Sequence, residues 1–107
     1  MVVHRFEVYL VRLDPAVGSE IQKTSPCVII TPDELNRQFN TVILAPMTSA
    51  SHSFQTRIPC HFDMKASFVV LDQIRSVDKS RLIRRVGNLT LSESSAVLST
   101  LVEIFTL

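Results

Sequence analysis

The feature that most constrains this fold is a series of short apolar runs, each stopped by proline or a polar cluster. They are FEVYLVRL (6–13), CVIIT (27–31), TVILA (41–45) and FVVL (68–71). All are strand-length and rich in β-branched or aromatic side chains, too short for typical helices. In the first run Phe6, Val8 and Leu10 alternate with Tyr9, Val11 and Leu13, so both faces are largely apolar. Such a strand belongs in the middle of a sheet, or in a sheet that curls into a barrel. Residues 54–62 (FQTRIPCHF) also alternate, with Pro59 marking an edge or a bulge. Residues 81–89 (RLIRRVGNL) read as a last strand.

Between these runs, Pro32 and Pro46 are expected to end the second and third strands. Residues 33–36 suggest one helical turn, 47–53 a small-polar loop, 63–67 a turn, and 77–80 a second helical turn. A longer helix begins at Thr90. Thr90-x-x-Glu93 fits a capping box, in which hydroxyl and carboxylate satisfy each other's free backbone N–H groups. Val97, Leu98, Leu101, Val102 and Ile104 or Phe105 then carry helical apolar spacing to about residue 105.

The predicted class is α+β, mainly antiparallel β: a single barrel domain over residues 1–107 with short helices and a C-terminal helix. Apolar residues make up 46% and charged residues 20%, which excludes a disordered chain. With only two glycines, several turns must rely on Asp, Asn, Ser and Pro. The opening MVVHRFEVYL lacks a signal-peptide run, and no stretch approaches the roughly 18 apolar residues of a membrane span. The expected location is the cytoplasm, with no membrane partner and with Cys27 and Cys60 reduced. Cys60 and His61 are adjacent in a strand and point to opposite faces, so they are not read as a metal pair.

A net charge of +1 gives no hint of a nucleic-acid partner. Its distribution says more: Arg75, Lys79, Arg81, Arg84 and Arg85 cluster against the single acid Asp78. Such a cluster either touches phosphates or is a solvated surface. Residues 14–26 (DPAVGSEIQKTSP) form a long polar loop, and loops of this length in small domains are often functional.

Three blocks occur in order: VYLVRLDPAVGSEIQKTSPCVIITPDELN, VILAPMTS and FVVLDQIRSVDKSRLIRRVGNL. Together they make the chain resemble the MazF/PemK toxins from about Arg5 to Phe105. The resemblance implies an SH3-like barrel shared with CcdB toxins, a homodimer, and a MazE-like antitoxin whose disordered tail folds onto the toxin. It also implies sequence-specific cleavage of single-stranded mRNA with neither metal nor cofactor. A CcdB-like gyrase inhibitor is the less favoured reading, because such chains rely on a C-terminal Trp and this one has none.

The same resemblance assigns candidate residues. Thr48, in APMTS, matches the family's catalytic threonine, and Ser25 stands where the family carries arginine before proline. Glu20 is a candidate for loop positioning or proton transfer, with a solvated carboxylate as the plain alternative. Gln22, Lys23, Thr24, His52, Arg57 and Arg75 form the candidate RNA-binding set, and Asp72 is assigned a structural role. Two further departures fall where the family usually has glycine, at Phe6 and within Lys65-Ala66-Ser67. Serine carries no charge and cannot fork onto a phosphate. Three readings stay open: another cation (Lys23, Arg57, His52 or His61) takes over; the enzyme is crippled and only binds RNA or antitoxin; or the serine was introduced deliberately.

Overall fold

The four apolar runs become the inner strands of one antiparallel sheet. In the computed structural model, which describes residues 1–13, 24–49 and 56–106, they are β1 (Glu7–Val11), β2 (Ser25–Ile29), β3 (Thr41–Thr48) and β5 (Lys65–Val70). The run with Pro59 becomes β4 (Arg57–Phe62) and the last run β7 (Leu82–Asn88). The order is β4-β5-β3-β2-β1-β7, so β4 and β7 are the ends of the path. Pro59 is therefore on an edge strand, where its missing N–H costs least. A further strand, β6 (Arg75–Asp78), pairs with the first half of β3.

β3 organises this sheet. Along one side it pairs with β2 through Leu44, Ala45 and Pro46. Along the other it meets β6 at residues 41–44, then β5 at Met47 and Thr48. Pro46 falls at the change of partner between β6 and β5, so it does not end the strand as expected. Met47 and Thr48 consequently belong to β3 and not to a loop.

Both faces of the sheet are packed, as the two-sided apolar pattern of β1 requires. On one, Val8, Val28, Ala45, Met47 and Val69 pack with Val97 of helix α2 (Leu91–Ile104). On the other, Tyr9, Val11, Cys27, Ile29, Val42 and Leu44 meet Val77 and Leu82. Helix α2 starts as expected. The Thr90 hydroxyl accepts the Glu93 N–H at 3.1 Å, and Glu93 Oε1 accepts the Thr90 N–H at 2.8 Å. Glu93 Oε2 also accepts the His61 N–H of edge strand β4 at 3.0 Å, so the cap ties helix to sheet edge. A short helix, α1 (Asp33–Gln38), occupies the predicted helical turn.

Other boundaries differ from expectation. Residues 75–78 form strand β6, not part of a helical turn, and helical turns of the 3-10 type occupy Leu71–Gln73 and Lys79–Arg81. Only Val77 of β6 is buried, so the segment carries almost no apolar signal of its own; pairing with β3 makes it a strand. The expected turn over 63–67 shrinks to Asp63 and Met64, because Lys65 already pairs with Phe62. Both turn residues have positive φ, 53° and 61°, the I′ pattern that matches strand twist and usually selects Asn-Gly. β7 contains two bulges. Val11 pairs with Leu82 and Leu10 with Arg84, leaving Ile83 extra; Val86 is extra between Arg85 and Gly87.

Phe6 also has a left-handed backbone, φ 70°. Its N–H donates to the Ile29 carbonyl at 2.7 Å and its carbonyl accepts the Leu89 N–H at 2.9 Å. The position thus links the ends of β2 and β7 in a conformation that favours glycine. No helix among the described residues is long and apolar enough to cross a membrane.

Candidate active site

Thr48 is the last residue of β3 and lies in a cavity of about 360 Å³. Pro26, Met47, Ser49, Phe62, Asp63, Lys65 and Ser67 complete its described lining. Three chain segments build it: the start of β2, the end of β3 and the tip of the β4–β5 hairpin. The Cys27–Pro46 and Val28–Ala45 pairs set the β2–β3 register. That ladder ends two residues short of Ser25 and Thr48, and Pro26, next to Ser25, lines the cavity beside Thr48. The sequence blocks that carry these two residues therefore converge in space.

The candidate residues separate into groups. Ser25 is half-buried at the start of β2, paired with Val11 of β1, and its carbonyl accepts the Cys27 Sγ–H at 3.7 Å. Thr24 is exposed just before it. Glu20, Gln22, Lys23 and His52 lie outside the described residues. Arg57 is on β4, and its Nε is 3.7 Å from Asp72 Oδ1, which also accepts the Thr56 hydroxyl at 2.9 Å. Asp72 thus binds the base of the hairpin, the structural role expected of it. Arg75 pairs with Leu44, four residues from Thr48 and so about 13 Å along the strand. Neither Arg57 nor Arg75 lines the Thr48 cavity.

The hairpin tip was invisible as a site in the sequence. Lys65 and Asp63 join the lining of the Thr48 cavity only because β5 folds back on β4 and pairs with β3. On its other side the same tip lines a second cavity, of about 620 Å³. There Phe62 and Asp63 face Arg84, Arg85, Val86 and Gly87 of β7. The basic cluster is accordingly split in use. Lys79 donates to the Asn36 carbonyl, and Arg81 to the carbonyls of Arg12 and Leu13 at 3.0 and 3.1 Å. Arg84 and Arg85 line the cavity, with Arg85 also 3.6 Å from Glu7.

Both thiols are structural. Burial pushes Cys27 up to about 12 and Cys60 up to about 11, so neither is a nucleophile near neutral pH. Among the described residues no group of three or more His, Cys, Asp or Glu side chains is placed to hold a metal ion.

The Thr48 cavity is thus lined by a threonine, a lysine, an aspartate and an aromatic residue, and two arginines line the cavity beyond the hairpin tip. Residues 4–105 match the profile described as "PemK-like, MazF-like toxin of type II toxin-antitoxin system". The chain is 34% identical over 97 residues to endoribonuclease EndoA of Bacillus subtilis, covering 83% of this chain and 82% of that protein. It is 36% identical over 103 residues to endoribonuclease MazF of Staphylococcus epidermidis, covering 89% and 82%. In fold it is similar to a MazE-MazF crystal structure from Deinococcus radiodurans, with a TM-score of 0.83 at 18% identity, covering 97% of this chain and 96% of that one. A profile spanning nearly the whole chain and relatives above 30% identity lead to one conclusion: the chain belongs to the PemK-like, MazF-like toxins of type II toxin–antitoxin systems.

Proposed function

We infer that this chain is a toxin that cuts single-stranded mRNA as a sequence-specific, metal-independent endoribonuclease. The observation that carries the reading is Thr48 at the end of β3, inside a cavity walled by Pro26 and the hairpin tip. Two relatives named as endoribonucleases support it. In the reaction the RNA 2′-oxygen bonds to phosphorus and the bond from phosphorus to the 5′-oxygen breaks. One proton leaves the 2′-hydroxyl for a base, and one is delivered to the departing 5′-oxygen. Negative charge gathers on the phosphorane, where fixed donors and cations lower the barrier. The Thr48 hydroxyl is the donor to that phosphate. DNA has no 2′-hydroxyl and is not a substrate.

The partners follow from the same reading: a MazE-like antitoxin, as in the Deinococcus MazE-MazF structure, and a second copy of the chain. A second reading, a catalytically inactive member that binds RNA or antitoxin, is favoured by one observation, the uncharged Ser25. Incubation with long single-stranded RNA of mixed sequence in EDTA, beside a Ser25→Arg variant, separates them. The expected result is cutting by both, leaving 2′,3′-cyclic phosphate and 5′-hydroxyl ends. Cutting by the arginine variant alone establishes the inactive reading. Cutting by neither, with both folded, overturns the nuclease reading.

A further inference from the structure

We propose that Phe68 is the base-stacking residue of this site, its ring receiving the nucleobase next to the phosphate held by Thr48. The proposal rests on the endoribonuclease reading. Phe68 of β5 is the direct ladder partner of Thr48 of β3. Directly opposed residues of an antiparallel pair point to the same face, with Cβ atoms about 4.5–5.5 Å apart. The neighbouring rung fixes which face that is. It joins Met47 to Val69, and both are buried in the core that contains Val97 of α2. Side chains alternate along a strand, so Thr48 and Phe68 turn together to the face away from that core. The rung continues to Pro59 of edge strand β4, which is exposed.

The Phe68 ring is not part of the interior. Among the described residues, Phe6 and Phe62 pack on a core, whereas Phe68 packs on neither of the two. It is half-buried, which leaves part of the ring open to a ligand. Ala66, the next residue on the same face, is exposed and contributes only a methyl group beside it. Proteins that bind single-stranded RNA use such a ring as a flat apolar surface for an unstacked base. In RNA a base and its phosphate are separated by one ribose. A ring one strand away from the Thr48 hydroxyl matches that separation: while the hydroxyl holds the phosphate, the attached base lies over Phe68. Every base has a flat face, so the contact supplies affinity and orientation with little choice among bases. Stacking holds substrate and transition state alike, so its loss raises KM and leaves kcat nearly unchanged.

The test uses the full chain and two probes. Long mixed-sequence single-stranded RNA in EDTA reads cutting, and 2′-O-methylated mixed-sequence oligonucleotides, which cannot be cut, read binding. Wild type is compared with Phe68→Leu, Phe68→Trp and Thr48→Ala, each shown to be folded by urea unfolding. Phe68→Leu is expected to weaken binding and raise KM by about five- to a hundred-fold, the effect of removing one base–aromatic stack, with kcat nearly unchanged. Phe68→Trp keeps both near wild type, and Thr48→Ala instead lowers kcat. A merely structural role for Phe68 would not split KM from kcat in this way. Wild-type binding and KM in Phe68→Leu overturn the proposal and leave the ring to a protein partner. A loss confined to kcat overturns it too, as do equal losses in Phe68→Leu and Phe68→Trp. A wild type that binds without cutting, its binding weakened in Phe68→Leu, supports the stack and overturns only the nuclease reading beneath it. Failure of every folded version to bind or cut overturns both.

Discussion

Replacing Met64 by glycine is expected to stabilise the protein, and the amount follows from the hairpin turn. Met64 has φ 61° and is 100% exposed. A left-handed backbone costs an ordinary L-residue about 1–2 kcal/mol, which glycine avoids. Glycine also adds freedom to the unfolded chain, costing about 0.5–1 kcal/mol. No burial is lost, because the methionine side chain packs against nothing. The net gain is about 0.75 kcal/mol at the centre of these ranges, or about 3–6 °C in melting temperature for a domain near this size. The product is an Asp-Gly turn, the pairing that I′ hairpins prefer. Urea unfolding at one fixed protein concentration measures it, since self-association would make the midpoint depend on concentration. A higher midpoint with an unchanged slope is expected for Met64→Gly, and no gain for Met64→Ala, which keeps the backbone penalty. Equal midpoints for wild type and Met64→Gly would refute the argument that the turn is strained. Phe6→Gly supplies the contrast. It relieves the same penalty at φ 70° but removes a half-buried ring that packs on the core and lies 5.4 Å from the Arg5 guanidinium. Its net change is expected to be zero or unfavourable.

Three further outcomes are expected. Thr90→Ala removes one half of the capping box and costs about 1 kcal/mol in urea unfolding. Cys27 and Cys60 should resist a thiol reagent at pH 7 until the protein is unfolded, because a thiol at about 11 is ionised to only about one part in 10⁴ there. The Arg5 N–H, donated to Asp33 Oδ1 at 2.7 Å, holds the Asp33 carboxyl below its ordinary value of 3.8, with His4 contributing less. A depressed carboxyl contributes stability that is present above pH 3.8 and lost as pH falls through its lower, folded-state value. Acid titration of unfolding should therefore show a smaller loss in Asp33→Asn than in wild type over that interval.

Local chemistry made part of this fold legible. Thr90 and Glu93 announce a helix start because their spacing alone satisfies the free N–H groups. The inner strands show in their β-branched runs because burial on both faces demands them. β6 does not show, since three of its four residues are exposed and its strand character comes from distant β3. Pro46 misleads for a related reason: whether proline ends a strand depends on which partner would have used its N–H. At the site, Thr48 and Ser25 stand out by resemblance, and the register explains why their blocks matter together. The hairpin tip could not be found the same way. It comes to the Thr48 cavity through a turn at Asp63 and Met64, residues that do not advertise a left-handed backbone.

The two ends of the sheet path, β4 and β7, face each other across the larger cavity without a ladder between them among the described residues. The sheet therefore has a seam between its two ends. Parting its lips, Phe62 and Asp63 on one side and Arg84 to Gly87 on the other, breaks no strand-to-strand hydrogen bond. Opening that seam would cost side-chain contacts alone, while the ladders around β3 hold Thr48 in place.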